Sequence, residues 1–230
     1  MAGPGQPDRP EPETPEPAAA RVPAPAEAVA VTVLCFGWFI LISLSAVGAD
    51  FPAGAGFSDS GLADTILVEL VLGGLALAFL RFRGYAVRSL LPRPSLNGGA
   101  VGVLLFIAGM ATWWVAAAFV DTGELQAQPI AEIMSNTRVS LTMALALSLV
   151  NGVYEETFLC FLVDAFRGHG ASVAIGVSTL VRLLYHVYQG PIGSLSIVLY
   201  GIVMSAFYWR ARWLWPVAFA HVLADLVALA

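Results

Sequence analysis

The chain has 230 residues, 58% of them hydrophobic and only 12% charged, with a mean hydropathy of +0.79. Soluble domains carry about 25% charged residues, so this composition excludes an ordinary soluble globular protein and indicates an all-α, polytopic membrane bundle. The formal net charge is −5 and all 11 basic residues are Arg; with no basic stripe, nucleic acid is excluded as a partner.

Residues 1–27 (MAGPGQPDRPEPETPEPAAARVPAPAE) are rich in Pro, Glu and Ala without apolar periodicity, the composition of a disordered tail. The tail is long and acidic, unlike the short basic start of a signal peptide. It is therefore read as a cytoplasmic extension ahead of a membrane domain at 28–230, most of whose intramembrane ionisable residues gather at about 140–230.

A hydrocarbon core of about 30 Å needs about 20 helical residues. That measure predicts seven spans, at 28–47, 61–80, 98–120, 140–165, 171–188, 192–209 and 214–230. Cys35 and Cys160 fall inside spans without CxxC spacing and read as small buried apolar residues. The first three spans offer no chemistry apart from Glu69, a carboxylate that reads as an interhelical hydrogen bonder. Between the third and fourth spans, the polar stretch 121–138 spaces Ile130, Ile133 and Met134 as in a short helix on the membrane surface, either shading the site or connecting the spans. The stretch Tyr188-Gln189-Gly190-Pro191 reads as a helix stop, and Trp209, Trp213 and Trp215 as an interfacial anchor.

Loop charges set the orientation. Arg81, Arg83, Arg88 and Arg93 follow the second span, Arg167 the fourth, and Arg210 and Arg212 the sixth, all on one side of the membrane. The opposite loops hold a single basic residue. The expected orientation is N-terminus in, C-terminus out, in a bacterial cell membrane.

One Arg is left over inside a span, Arg182. It belongs to a set of intramembrane ionisable residues: Glu155, Glu156 and Asp164 in the fourth span, Arg182 and His186 in the fifth, His221 and Asp225 in the last. Such groups are costly in a bilayer and mark functional sites unless paired. Asp164, near the cytoplasmic end beside Arg167, reads as a solvated helix end. Counting about 1.5 Å per helical residue from each cytoplasmic end puts Glu155 at about 18 Å, His186 at about 22 Å, His221 at about 12 Å and Asp225 at about 18 Å. One layer near the midplane can hold all four. Arg182 with His186, and His221 with Asp225, are spaced to share a helix face.

A glutamate beside a His in a partly dry cavity can be poised as a general base for water, because burial disfavours its charge and a cation restores it. A second His with a carboxylate partner can hold one tautomer and donate to the oxyanion of an attacked carbonyl. Glu155, His186 and His221 could equally bind a divalent metal such as Zn2+ that acidifies the water. The residues leave both routes open, and no cofactor is required. The chemistry such a site supports is hydrolysis, at the depth of the lipid bilayer.

The order Glu155-Glu156, then His186, then His221-Val222-Leu223-Ala224-Asp225 resembles the CPBP family of intramembrane proteases, which includes CAAX prenyl endopeptidases and bacterial bacteriocin-processing or self-immunity proteins. The resemblance covers about Leu141 to the C-terminus and rests on the motifs E-E-x-x-x-R, F-x-x-x-H and H-x-x-x-[N/D]. It implies that Glu155 activates water with His186, that His221 and Asp225 stabilise the oxyanion, and that Glu156 supports the site. Two positions depart from it: Cys160 stands where the first motif has Arg, and Arg182 where the second has Phe. A buried carboxylate stripped of its cation costs several kcal/mol, so the guanidinium is expected to have moved from the fourth span to the fifth. Asp225 in place of Asn cannot donate to an oxyanion while ionised, and is expected to orient His221 or bind metal. The competing readings are a proteolytically inactive scaffold or immunity protein, suggested by Cys160, and a proton-coupled carrier, weakened by the lack of an inverted repeat.

Overall fold

The structure, a computed structural model, describes residues 23–48, 56–119 and 129–229. Among these, the chain forms eight α-helices: α1 (Pro25–Gly48), α2 (Asp59–Phe82), α3 (Leu96–Phe119), α4 (Pro129–Asn136), α5 (Leu141–Ala165), α6 (Ala171–Leu184), α7 (Gly190–Ala211) and α8 (Leu214–Leu229). It is a polytopic helical membrane bundle, with no strand among the described residues beyond one isolated bridge between Ser58 and Arg138.

Most of the expected tail, residues 1–22, lies outside the described residues, but its last residues are helical. Glu27 sits in the first turn of α1, 3% exposed, and accepts hydrogen bonds from the Ala24 amide at 3.1 Å, from Arg83 Nε at 2.9 Å and from the Tyr85 hydroxyl. A carboxylate at a helix N-terminus meets unpaired amides there, a local signal that the tail's average composition hides.

Five helices have the length and apolarity of a membrane span, whereas α6 and α8 are shorter than the two spans predicted for them. α6 stops at Leu184, before the expected 188, because the His186 amide closes a tight bond to Leu183 O at 2.9 Å. A 3-10 turn, Val187–Gln189, follows, and Pro191 occupies the first turn of α7, where its missing amide costs nothing. His186 therefore sits on a turn beyond α6 and not on the same helix as Arg182. α4 forms where the Ile130, Ile133 and Met134 spacing predicts it.

α5 is the axis of the bundle: 72% of its apolar window is buried, against 22–33% for the other four long spans. It packs against α1, α2, α6 and α8, while α3 packs on α7 and α8. Ser140 caps its N-terminus, accepting from the Met143 amide at 3.3 Å, and the Ser140 amide donates to Asp59 Oδ1 at 2.8 Å, tying α5 to the start of α2. An aromatic group of Phe36, Tyr154, Phe158 and Tyr185 fills the space between α1, α5 and the end of α6, with Phe36 and Tyr185 stacked at 5.1 Å.

The α5–α8 contact is the one that sets the site. A Cβ on Gly152 would stand 2.8 Å from Val222 Cγ2 and 2.9 Å from the Val222 amide nitrogen. Only glycine allows this backbone approach, and it brings His221, the neighbour of Val222, to the turn of α5 that carries Glu156. Cys35 and Cys160 are buried and free.

Candidate active site

Neighbours on an α-helix point about 100° apart, and Glu155 and Glu156 face different partners accordingly. Glu156, 1% exposed, turns toward α6 and α8: its Oε1 accepts from Arg182 Nη2 at 2.7 Å and lies 2.7 Å from His221 Nδ1. A carboxylate paired with Arg is acceptor-only, so Nδ1 of His221 carries the proton and donates. Glu155, 6% exposed, turns the other way. Its Oε2 accepts from the Tyr185 hydroxyl at 2.5 Å and lies 3.7 Å from His221 Nε2, 3.8 Å from Arg182 Nη1 and 3.9 Å from His186 Nε2.

The structure thus places the guanidinium of α6 on the carboxylate of α5, at the position left without its cation by Cys160. Arg182 is itself 1% exposed, with Tyr200 beneath it at 5.2 Å and its Nε without a partner among the described residues. Gly201 of α7 leaves it room: a Cβ there would meet Thr179 at 3.2 Å and Arg182 Cδ at 3.4 Å. A buried ion pair is weak evidence for stability, but losing one member of it is costly.

On α8, His221 Nε2 stands 3.5 Å from Asp225 Oδ1, beyond ordinary hydrogen-bond length, so the shorter contact orienting His221 is Glu156. Asp225 Oδ2 instead accepts from Asn151 Nδ2 at 2.7 Å. Asn151 and Tyr185 are site residues that the sequence reading did not single out. The spacing of Asn151, one turn before Glu155 on the same helix face, is a signal that could have found it.

These groups meet a cavity of about 440 Å³ lined by Glu155, Asn151, Tyr185, His186 and Asp225, together with Glu69 and apolar side chains from α1, α2 and α4. Ile130 and Met134 belong to that lining, so α4 covers part of the site. Glu156, Arg182 and His221 stand behind it. Glu69 does not make the interhelical hydrogen bond expected of it: it is 3% exposed, and its Oε2 has no partner among the described residues. Asp164 is not a freely solvated end either. It accepts from Tyr208 Oη at 2.8 Å and from Arg167 Nε and Arg212 Nη2 at 3.2 Å each, because the basic side chains of the membrane edge fold back over it.

The candidate metal donors are less well assembled. Ligand bonds of about 2.0–2.2 Å bring Zn2+ donors closer together than His186 and His221 come to Glu155 Oε2, and that oxygen already accepts from Tyr185. Among the described residues no group of three or more His, Cys, Asp or Glu side chains is arranged to hold an ion.

A multi-pass helical membrane protein with a carboxylate and an imidazole on a cavity wall, and a second imidazole behind that carboxylate, is the kind of frame that intramembrane hydrolysis needs. Residues 137–227, the region that contains Glu155, Glu156, Arg182, His186, His221 and Asp225, match the family described as Type II CAAX prenyl endopeptidase Rce1-like. The family is one of intramembrane CAAX-type proteases. No curated protein and no solved structure matches the chain.

Proposed function

We propose that this protein is an intramembrane endopeptidase in which Glu155 activates water against a peptide bond, on a substrate that is a prenylated CAAX-like or bacteriocin-like peptide. The observation that carries this reading is the separation of Glu155 Oε2 from the imidazoles, 3.7 Å to His221 Nε2 and 3.9 Å to His186 Nε2, at a cavity wall. Such gaps are too long for direct hydrogen bonds and suit a shared water. Glu155 takes one proton of that water, the hydroxide adds to the scissile carbonyl, and the same proton passes to the leaving amine as the C–N bond breaks.

His186 has its Nδ1 3.2 Å from the side-chain Nε2 of Gln189. Accepting from Gln189 leaves the proton on Nε2, where it donates to the developing oxyanion. Asn151 holds Asp225 with one amide hydrogen and has a second to offer. Glu156, clamped by Arg182, is a positioning residue: it holds His221 with Nδ1 protonated and Nε2 directed toward Glu155. Because the chain's own Arg restores the neutralising charge, Cys160 no longer argues for a proteolytically dead scaffold. In this reading the N-terminus faces the cytoplasm, and the cavity, bounded by α4 and the ends of α2 and α8, lies toward the opposite side.

The test is cleavage of a fluorogenic peptide bearing S-farnesyl cysteine in a Cys-aliphatic-aliphatic-X ending, by purified protein in detergent. Glu155→Gln, His186→Ala and His221→Ala each abolish cleavage while the proteins stay folded. Undiminished activity in Glu155→Gln removes the proposal. Inhibition by a chelator, reversed by adding back Zn2+, would assign the water's activation to a metal instead.

A further inference from the structure

A second cavity, of about 420 Å³, lies at the membrane edge that carries the basic loops and shares no lining residue with the first. Its walls come from the segment between α2 and α3, from α5 and from the α7–α8 junction. Arg93 and Arg212 are its basic groups and Asp164 its one carboxylate. That carboxylate is already well served: Arg167 and Arg212 each reach it at 3.2 Å, and the Tyr208 hydroxyl donates to it at 2.8 Å. Two guanidiniums on one carboxylate leave a positive excess. Arg93, exposed and without a partner among the described residues, adds to it.

The backbone of Arg212 carries a second sign. It holds φ 49° and ψ 35°, and among the described residues no other side-chain-bearing residue has a positive φ. Helices often end in this left-handed conformation, but with glycine, because a Cβ strains it. α7 ends there on Arg, although Arg167 and Tyr208 already satisfy Asp164. Strain kept at a cavity mouth points to a use for the side chain, and 60% of the Arg212 side chain stays exposed. Among the lining residues on α5, Thr157 is 4% exposed and its Oγ1 has no partner among the described residues. A buried hydroxyl left in that state calls for an explanation. Trp213 and Trp215 complete the wall and are held against α3: Trp215 Nε1 donates to Ser95 O at 3.1 Å, and a Cβ on Gly98 would stand 2.9 Å from Trp213 Cζ2.

We propose that this cavity binds the headgroup of an anionic phospholipid, phosphatidylglycerol, with Arg93 and Arg212 on its phosphate. A guanidinium presents parallel N–H donors that match phosphate oxygens, and basic pockets between membrane helices take anionic headgroups. Indole rings belong at headgroup level, and Leu91, in the lining and 41% exposed, gives the acyl chains an apolar way out. A zwitterionic headgroup brings its own cation to a site that already has a surplus, so net charge selects the lipid. The glycerol hydroxyls both donate and accept, which suits Thr157 Oγ1. Thr157 follows Glu156 on α5, so the bound lipid braces the turn that holds the Arg182 pair. The site is separate from the catalytic cavity and does not depend on the proteolytic reading.

The experiment adds short-chain phosphatidylglycerol, short-chain phosphatidylcholine or inorganic phosphate to the delipidated full chain in neutral detergent. Lipid retention is read by native mass spectrometry and stability as Tm. Wild type binds phosphatidylglycerol about tenfold more tightly than phosphatidylcholine, and only phosphatidylglycerol raises Tm. Arg212→Gly relieves the backbone strain, so its lipid-free Tm is at or above that of wild type while the lipid-dependent rise shrinks. Arg93→Glu, a change at an exposed residue that the fold tolerates, abolishes the preference. Thr157→Val lowers the affinity for phosphatidylglycerol by about threefold. Arg210→Gln, exposed on the same edge but outside the lining, leaves the preference intact. No preference in wild type, or an unchanged one in Arg93→Glu, overturns the assignment. So does a loss of equal size in Arg210→Gln, which would reduce the effect to the charge of the edge. A Tm rise with inorganic phosphate equal to that with phosphatidylglycerol would overturn the lipid as the source of the phosphate.

Discussion

The Arg182 guanidinium meets Glu156 at 2.7 Å, and both side chains are 1% exposed. Cys160, where the resembled motif places its cation, lies one helical turn beyond Glu156 on α5. An Arg at either position can therefore reach the same carboxylate, one along α5 and one from α6. Arg182→Leu strands Glu156 and is expected to cost about 3–5 kcal/mol, read as a lowered Tm in detergent. Cys160→Arg combined with Arg182→Phe returns a cation and is expected to recover a large part of that loss. A double variant no more stable than Arg182→Leu would show that Glu156 depends on the α6 geometry and not merely on a positive charge.

The clustering of Glu155, His186, His221 and Asp225 was legible in the sequence because charged groups in apolar helices have few places to go. So was the partnership of Arg182 with Glu156, by the same logic of uncompensated charge. What could not be read were contacts set by backbone approach. The end of α6 at Leu184 depends on a tight turn within an unbroken apolar run, and the hold of Glu156 on His221 depends on Gly152 admitting α8. Tyr185 was hidden for another reason: an aromatic residue in an apolar span has an ordinary explanation until its hydroxyl is seen 2.5 Å from a carboxylate.

Gly152 provides a direct check on that approach. Its added Cβ would meet the Val222 backbone nitrogen at 2.9 Å, an atom that cannot swing aside as a side-chain tip can. Gly152→Val is expected to destabilise the bundle by about 1–3 kcal/mol through overpacking. It should also lower activity more than stability accounts for, since α8 must move His221 away from Glu156. Thermal unfolding and kcat, measured on the same preparation, separate the two effects.

Tyr185 tests the hold on the proposed base. Tyr185→Phe keeps the ring stacked on Phe36 and deletes only the hydroxyl that donates to Glu155 Oε2. Stability is expected to change by about 1 kcal/mol. The rate should fall by about tenfold to a hundredfold, because a general base works only when aimed at its proton. A fall in kcat with KM unchanged fits a group that acts through Glu155, whereas a change confined to KM would place Tyr185 in substrate binding.

Asn151 and Asp225 form a pair at 2.7 Å across α5 and α8, with the amide on the helix opposite to the one on which the resembled motif can carry it. Exchanging them, Asn151→Asp with Asp225→Asn, preserves one amide and one carboxylate while moving the amide beside His221. Asn151→Asp alone sets two carboxylates against each other and is expected to lose most activity and about 1–3 kcal/mol of stability. Asp225→Asn alone keeps the fold and places two amides at the cavity wall. If the amide is needed as an oxyanion donor, the exchanged protein recovers activity over Asn151→Asp. If the carboxylate is needed beside His221, the exchange restores stability without activity, and a comparison of Tm with kcat/KM across the four proteins separates these outcomes.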